Sequence, residues 1–526
     1  MRKKIVNYIN AFKNSSFLKG IFVLGFSGVL CKLIGVFYRI PLTNILGSAG
    51  MGVYGLVYPI YSLLLVVSSS ALPLALSKIV AEKVAVKDFG YIKRLKKIAL
   101  NLMLLVGGVL TLLLILLSGV ITNLQGVGDA KFGFIFIAPS VLIVGLICVY
   151  RGVFQGFVEM KPTAMSQLIE QGVKLVLGLI LSIMFLPFGI SYAVGGAMLA
   201  ITISEAFALL YLIIKFNQLY KNKAEYKVCL KEKADKGENK NKIKIKSTEI
   251  LSNLIKVCVP ITFSGLVIPF CLVVDSFLIV NVLVMYGSEI GVALADYGLY
   301  SNVVNTLINV PIVLIGSLGA VALPLVAKTV LAKEPLKMRE TVAKCINFTA
   351  FICVPCVLVF AIFPMPILNV LYPALSSGEI ETGCRLLVIS SSTVLSLGVF
   401  YISTSVLQGL GKNKFSIINC CICSFLRILI YILLMKIYGI YAVAMAGAIM
   451  YFVMAIINVC YMIKCVGSER LGIVKIFMTS IIFICITLCS YLCLVGFMGC
   501  YAILPALILS GLIYLLLNFK VIINGW

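Results

Sequence analysis

Along the 526 residues, long apolar runs alternate with short segments that carry most of the charge. A hydrocarbon core about 30 Å thick needs about 20 helical residues to cross it. Fourteen runs reach that length, beginning near residues 20, 52, 98, 132, 162, 190, 253, 298, 345, 386, 415, 440, 473 and 500. Pro59, Pro73, Pro260, Pro269, Pro311 and Pro324 fall among them. Each predicts a break, tolerated where neighbouring helices or a water-filled cavity satisfy the freed backbone groups. The pattern predicts an all-α polytopic membrane protein of about fourteen transmembrane helices.

The segments between the runs sort by charge. One side of the membrane receives Arg2, Lys3, Lys4 and Lys13, then Lys83, Lys87, Lys93, Arg94, Lys96 and Lys97. To the same side fall the polar stretch 217–250, then Lys333, Lys337, Arg339, Lys412, Lys414, Lys464, Arg470, Lys475 and Lys520. The opposite side is almost free of bases and holds Asp129, Glu289, Asp296, Glu379 and Glu381. Because cytoplasmic loops carry the excess of Lys and Arg, both termini are expected in the cytoplasm of a bacterial inner membrane. An even number of spans requires the same.

Composition narrows the function. Hydrophobic residues make up 62% and charged residues 12%, so the bilayer has to be the solvent. Histidine is absent, which excludes a histidine triad or a histidine-ligated metal. The net charge of +25 lies in membrane loops rather than on a nucleic-acid face, so no nucleic-acid partner is expected. Most of the eighteen cysteines sit in apolar stretches, including Cys353 and Cys356 flanking Pro355, and read as small hydrophobes. The first run carries Lys32 and Arg39, lacks a small-residue cleavage site, and reads as a span rather than a cleaved signal. Phosphate-binding loops and metal clusters are absent from the sequence. No cofactor is therefore expected, and energy has to come from a proton or sodium gradient, the membrane potential or consumption of the product.

Short segments recur at one offset. Ala71-Leu72-Pro73-Leu74 returns as Ala322-Leu323-Pro324-Leu325, and Gln155-Gly156 as Gln408-Gly409. Lys161 meets Lys414 and Lys174 meets Arg427 at that second spacing, while Tyr192-Ala193-Val194 returns as Tyr441-Ala442-Val443. Two six-span repeats follow, the second entering the membrane in the same direction as the first. The expected domains are an N-lobe at 1–216, a basic linker at 217–250, a C-lobe at 251–464 and two further spans at 465–526. Two parallel six-helix lobes facing each other would enclose a central cavity able to open to either side.

Ionisable groups inside spans are costly and mark sites. Lys32 and Arg39 are two helical turns apart in the first span, on one face. Either neutralises an anion in the cavity or snorkels. Lys174 and Arg427 occupy repeat-equivalent depths, where a pair of cations would suit a diphosphate. Glu170, four residues before Lys174, can instead neutralise it as an i,i+4 pair. Arg151 lies near the end of its span and either meets a substrate headgroup or snorkels. Glu205 and Asp275 lie deep in the sixth and seventh spans, as ion-coupling acids or as partners of these cations.

The segments Cys31 to Leu42 (CKLIGVFYRIPL), Gly50 to Leu56, Ala71 to Lys78 (ALPLALSK) and Arg151 to Gly156 (RGVFQG) resemble the multidrug/oligosaccharidyl-lipid/polysaccharide (MOP) exporter superfamily. Within it they look most like the polysaccharide-biosynthesis branch that contains stage V sporulation protein B and is similar to lipid II flippases. The resemblance implies alternating access between two lobes and a cationic cavity for an undecaprenyl-diphosphate-linked sugar or muropeptide. It implies a lipid-linked substrate in the membrane and, by analogy, cell-wall polymerases as partners. Lys32 and Arg39 match the basic positions of the flippases' first span, and Val274-Asp275-Ser276 resembles the family's acidic motif in the seventh. Those flippases also carry arginines in the second and eighth spans, whereas Tyr54 to Ser70 and Asn302 to Pro311 have none. The expected activity is a flippase for such a precursor, with spore cortex peptidoglycan as the expected use, and not an enzyme. The alternative is a cation-coupled multidrug exporter of the same superfamily.

Overall fold

The computed structural model describes residues 16–69, 71–222, 247–467 and 473–518. Most of the expected linker 217–250 lies outside them. The helices run, in order, α1 (Ser16–Ser69), α2 (Leu72–Ala85), α3 (Phe89–Leu124), α4 (Lys131–Gly156), α5 (Met160–Phe185), α6 (Ile190–Asn222), α7 (Ser247–Gly265) and α8 (Val267–Met285). Then follow α9 (Ile290–Gly298), a π-turn (Leu299–Val304), α10 (Asn305–Leu331), α11 (Pro335–Ile362), α12 (Pro364–Leu371), α13 (Ser377–Gly409), α14 (Asn413–Tyr438), α15 (Tyr441–Val466), α16 (Ile473–Met498) and α17 (Ile503–Leu517). Among the described residues there is no strand.

Among the described residues, twelve helical stretches are long and apolar enough to cross a membrane. Val23–Ala85, with 63 residues, is long enough to cross twice; it turns at Gly47, whose φ of 69° suits glycine. Ile476–Leu517, with 42 residues, is interrupted by the 3-10 turn Gly499–Ala502 and also has the length for two crossings. Ile290–Leu331 is equally long, but α9 has only 9 residues and cannot cross by itself. The described residues thus hold helix enough for about fourteen crossings, as the hydrophobic pattern predicts. The boundary expected near residue 52 falls at the Gly47 turn inside α1.

The prolines break fewer helices than the sequence suggests. Pro311 and Pro324 stand inside α10, and Pro59 inside α1. Pro59 has no N–H to give the Gly55 carbonyl. The Tyr297 hydroxyl donates to that carbonyl instead, at 2.9 Å. Pro355 frees the Phe351 carbonyl in the same way, and Tyr514 on α17 donates to it at 3.0 Å. In each case a side chain from another helix restores the lost hydrogen bond, which a membrane interior demands.

The described residues form two compact units. The first contains the chain up to Gly35 together with Leu56–Val274; its core joins α2, α3, α4, α6 and α7 through residues such as Leu76, Leu95, Val153, Leu212 and Leu254. The second contains Val36–Gly55 and the chain from Asp275 onward, and one of its clusters joins α10, α11, α13 and α15 through Val326, Val342, Val406 and Met462. Span for span, these are the repeat equivalents of α2, α3, α4 and α6. The repeated motifs also meet each other in both units. Gly152 and Gly156 on α4 pack on Pro73 and Val80 of α2, and Gly409 on α13 packs on Leu323 and Val326 of α10.

Segment 36–55 of α1 belongs to the second unit because its glycines admit backbone contact with α9. A Cβ on Gly298 would strike the Ser48 carbonyl oxygen, and one on Gly52 would strike that of Leu294. Asn302, in the π-turn, donates to the Met51 carbonyl at 2.8 Å, and Asn44 donates to that of Leu371 at 2.9 Å. Ser48 donates to Glu379, which also closes a capping box with Ser376 at the start of α13.

Candidate functional site

Three sets of polar residues within the spans gather five of the ionisable groups read from the sequence, each set wholly within one unit. In the second unit Arg427 on α14 meets Asp275 on α8. Its Nη2 donates to Oδ1 at 2.9 Å and to Oδ2 at 2.7 Å, and Tyr431 Oη donates to Oδ1 at 3.2 Å. The two side chains are 5% and 7% exposed, so a guanidinium and a carboxylate neutralise each other away from water. Helical spacing brings them there: Ser416, Asn419, Cys423, Arg427 and Tyr431 recur every three or four residues and are all buried. Toward the basic end of the same stripe, Asn419 donates to Asn458 at 2.8 Å, and Asn458 donates to Thr404 at 3.0 Å.

In the first unit Arg151 on α4 pairs with Glu170 on α5 at 2.9 Å, while its Nε donates to Ser166 at 3.0 Å. Glu170 therefore has Arg151 as an ion-pair partner. Lys174, one turn further along α5, is half-buried.

The third set surrounds Glu205 on α6, 3% exposed and near the middle of the apolar stretch Ile190–Gln218. Tyr61 on α1 donates to its Oε1 at 2.5 Å, and the Ser140 hydroxyl on α4 reaches its Oε2. Ser140 also lies 2.8 Å from Tyr61 Oη. Among the described residues no Lys or Arg forms an ion pair with Glu205.

The five cations named from the sequence thus divide. Arg151 and Arg427 are held by acids. Lys32 is exposed, and Arg39 and Lys174 are half-buried. Lys32 and Lys174 belong to the first unit, Arg39 and Arg427 to the second. Tyr61, Ser140, Ser166, Tyr431 and the Asn419–Asn458 network escaped the sequence reading. For the last, the polar stripe on α14 was the available signal. Among the described residues no three His, Cys, Asp or Glu side chains converge as a metal site.

The fold is that of a multi-span helical bundle with charges paired inside each unit. It matches the inward closed conformation of the lipid II flippase MurJ with a TM-score of 0.69 at 17% identity, covering 95% of this chain and 99% of that one. An inward-facing multidrug resistance MATE transporter of the MOP superfamily matches with a TM-score of 0.66 at 16% identity, covering 83% and 94%. The chain belongs to the family described as polysaccharide biosynthesis protein, which it matches over residues 17–330. Among its relatives, stage V sporulation protein B of Bacillus subtilis is 27% identical over 315 residues, 60% of this chain and 58% of that protein. Lipid II flippase MurJ of the same organism is 23% identical over 435 residues, 80% of this chain and 78% of that protein. The resemblance carried by the first spans is borne out: the chain is a multi-pass membrane protein of the polysaccharide biosynthesis protein family, with the fold shared by a lipid II flippase and a MATE transporter.

Proposed function

We propose that this chain is an alternating-access flippase that carries a polyprenyl-diphosphate-linked cell-envelope precursor from the inner to the outer leaflet of the bacterial cytoplasmic membrane, both of its termini lying in the cytoplasm. The carrying observation is Lys32, a base within a membrane span whose side chain is exposed and has no acidic partner among the described residues. An ammonium kept at that depth is costly unless an anion visits it. A diphosphate, multiply charged and rich in acceptor oxygens, is such an anion. Arg151 and Arg427, held by Glu170 and Asp275, are fixed parts of their own units.

The flippase reading draws on the MurJ and stage V sporulation protein B relatives, which favour a lipid-linked precursor and, for the latter, use in sporulation. Cell-wall polymerases are the natural consumers of the product, and an ion gradient or the membrane potential its source of energy. The test is translocation of fluorescent lipid II in proteoliposomes. The wild type is expected to move it, and Lys32→Ala to lose most of that rate while inserting and folding normally. Absence of any polyprenyl-lipid transport, with ion-driven efflux of cationic dyes, would establish the multidrug exporter instead.

A further inference from the structure

The two units treat their buried acids differently. Asp275 carries its counterion permanently, because Arg427 binds both of its oxygens. Glu205 is equally buried, yet the groups on its oxygens are two neutral hydroxyls, Tyr61 on α1 and Ser140 on α4. The next ionisable groups around it are Glu170, which Arg151 holds, Lys174 on α5 and the Cys148 thiol on α4. The internal repeat sharpens the contrast. At the spacing of 253 that relates Gln155 to Gln408, Arg151 and Glu170 correspond to Thr404 and Cys423; at the 249 that relates Tyr192 to Tyr441, Glu205 corresponds to Met454. The second unit therefore has no counterpart of this acid.

A carboxylate taken out of water without a cation is among the most costly groups a protein can bury, and it normally neutralises by taking up a proton. A metal cation is a poor alternative here. Hard cations collect six or more oxygens, whereas this pocket gathers one carboxyl and two hydroxyls, both already directed at the carboxyl.

We propose that Glu205 is the proton-exchanging group of this transporter, its carboxyl binding one proton in one state of the cycle and releasing it in another, with Tyr61 and Ser140 following the change. When Glu205 is ionised, both hydroxyls can donate to it. When it is protonated, its own O–H has to donate, and one hydroxyl must turn to accept. Tyr61 makes that reversal consequential. It sits on α1, the helix whose segment 36–55 belongs to the second unit, so the hydrogen bond reports the protonation state to a helix shared by both. The proton enters from water on one side and leaves to water on the other, with no other reactant. Coupling to lipid transport rests on the flippase reading; proton binding at Glu205 does not.

The experiment uses the full chain in proteoliposomes and two readouts. Infrared difference spectra between acidic and alkaline buffer are expected to show a carboxylic C=O band that Glu205→Gln abolishes and Glu205→Asp keeps. The amide is close in shape and hydrogen-bonding capacity, so Glu205→Gln should fold. Lipid II translocation by the wild type is expected to depend on an imposed pH gradient, and that dependence to be lost in Glu205→Gln. A band unchanged by Glu205→Gln, or one that responds to sodium rather than to pH, overturns the proposal. A Glu205-dependent band without lipid transport supports proton binding and rejects the flippase reading. Lipid transport indifferent to pH in both proteins keeps the flippase and overturns proton coupling at Glu205.

Discussion

At the scale of the residue, burial decides what a charge in this molecule is for. Arg427 and Asp275 are 152 positions apart and each meaningless alone; together they remove two charges from the membrane interior. Truncating one partner leaves the other uncompensated. Arg427→Ala is expected to cost about 3–5 kcal/mol, the usual penalty for breaking a buried pair. The double variant Arg427→Gln with Asp275→Asn should recover most of it. Thermal unfolding in detergent of the two singles and the double measures the coupling. Lys32 is the contrasting case. Its side chain is exposed, so Lys32→Ala should leave the unfolding temperature close to that of the wild type while reducing lipid transport. Residue identities were legible in the sequence for all eight ionisable candidates. Their partners were not, because Tyr61 and Ser140 are ordinary residues in apolar spans and stand 144 and 65 positions from Glu205.

At the scale of the element, each span was legible from its apolar length, but its continuity depended on other helices. Pro355 would weaken α11 if the Phe351 carbonyl stayed unpaired, and Tyr514 supplies the missing donor at 3.0 Å. Hydrogen bonds between membrane helices contribute about 0.6 kcal/mol on average and up to about 1.7. Tyr514→Phe should lose an amount in that range. In the Pro355→Ala background, where residue 355 regains its N–H, the loss should shrink toward zero. A double-mutant cycle followed by unfolding in detergent reads the difference, and equal losses in both backgrounds would show that Tyr514 acts only through packing. The glycines set a stricter limit. Gly298→Ala would drive a methyl into the Ser48 carbonyl, both of them backbone-constrained, and should separate α9 from segment 36–55.

At the scale of the whole molecule, the units do not follow the chain. Val36–Gly55, early in the sequence, belongs with everything from Asp275 onward. Cutting the chain within 223–246 therefore gives a second fragment that lacks part of its own unit. Made alone, that fragment should be cleared rapidly from the membrane, since Tyr297 and Asn302 lose the Gly55 and Met51 carbonyls to which they donate. Made with the first fragment, it should accumulate. Fragment abundance after a pulse of synthesis measures this, and equal persistence with and without the first fragment would show that the second unit needs no such segment.

Apolar length and the distribution of charge are properties of the chain itself, and a bilayer reads them directly. By themselves they determined that the protein is all-helical and crosses the membrane about fourteen times, and which charged groups lie within spans. Interior hydrogen bonds and ion pairs are made by residues scores of positions apart, and their energies depend on burial that no local pattern encodes. Tertiary structure alone therefore decided that Asp275 is closed by Arg427, that Glu170 is held by Arg151, that Glu205 faces hydroxyls, and that α1 is shared between the two units.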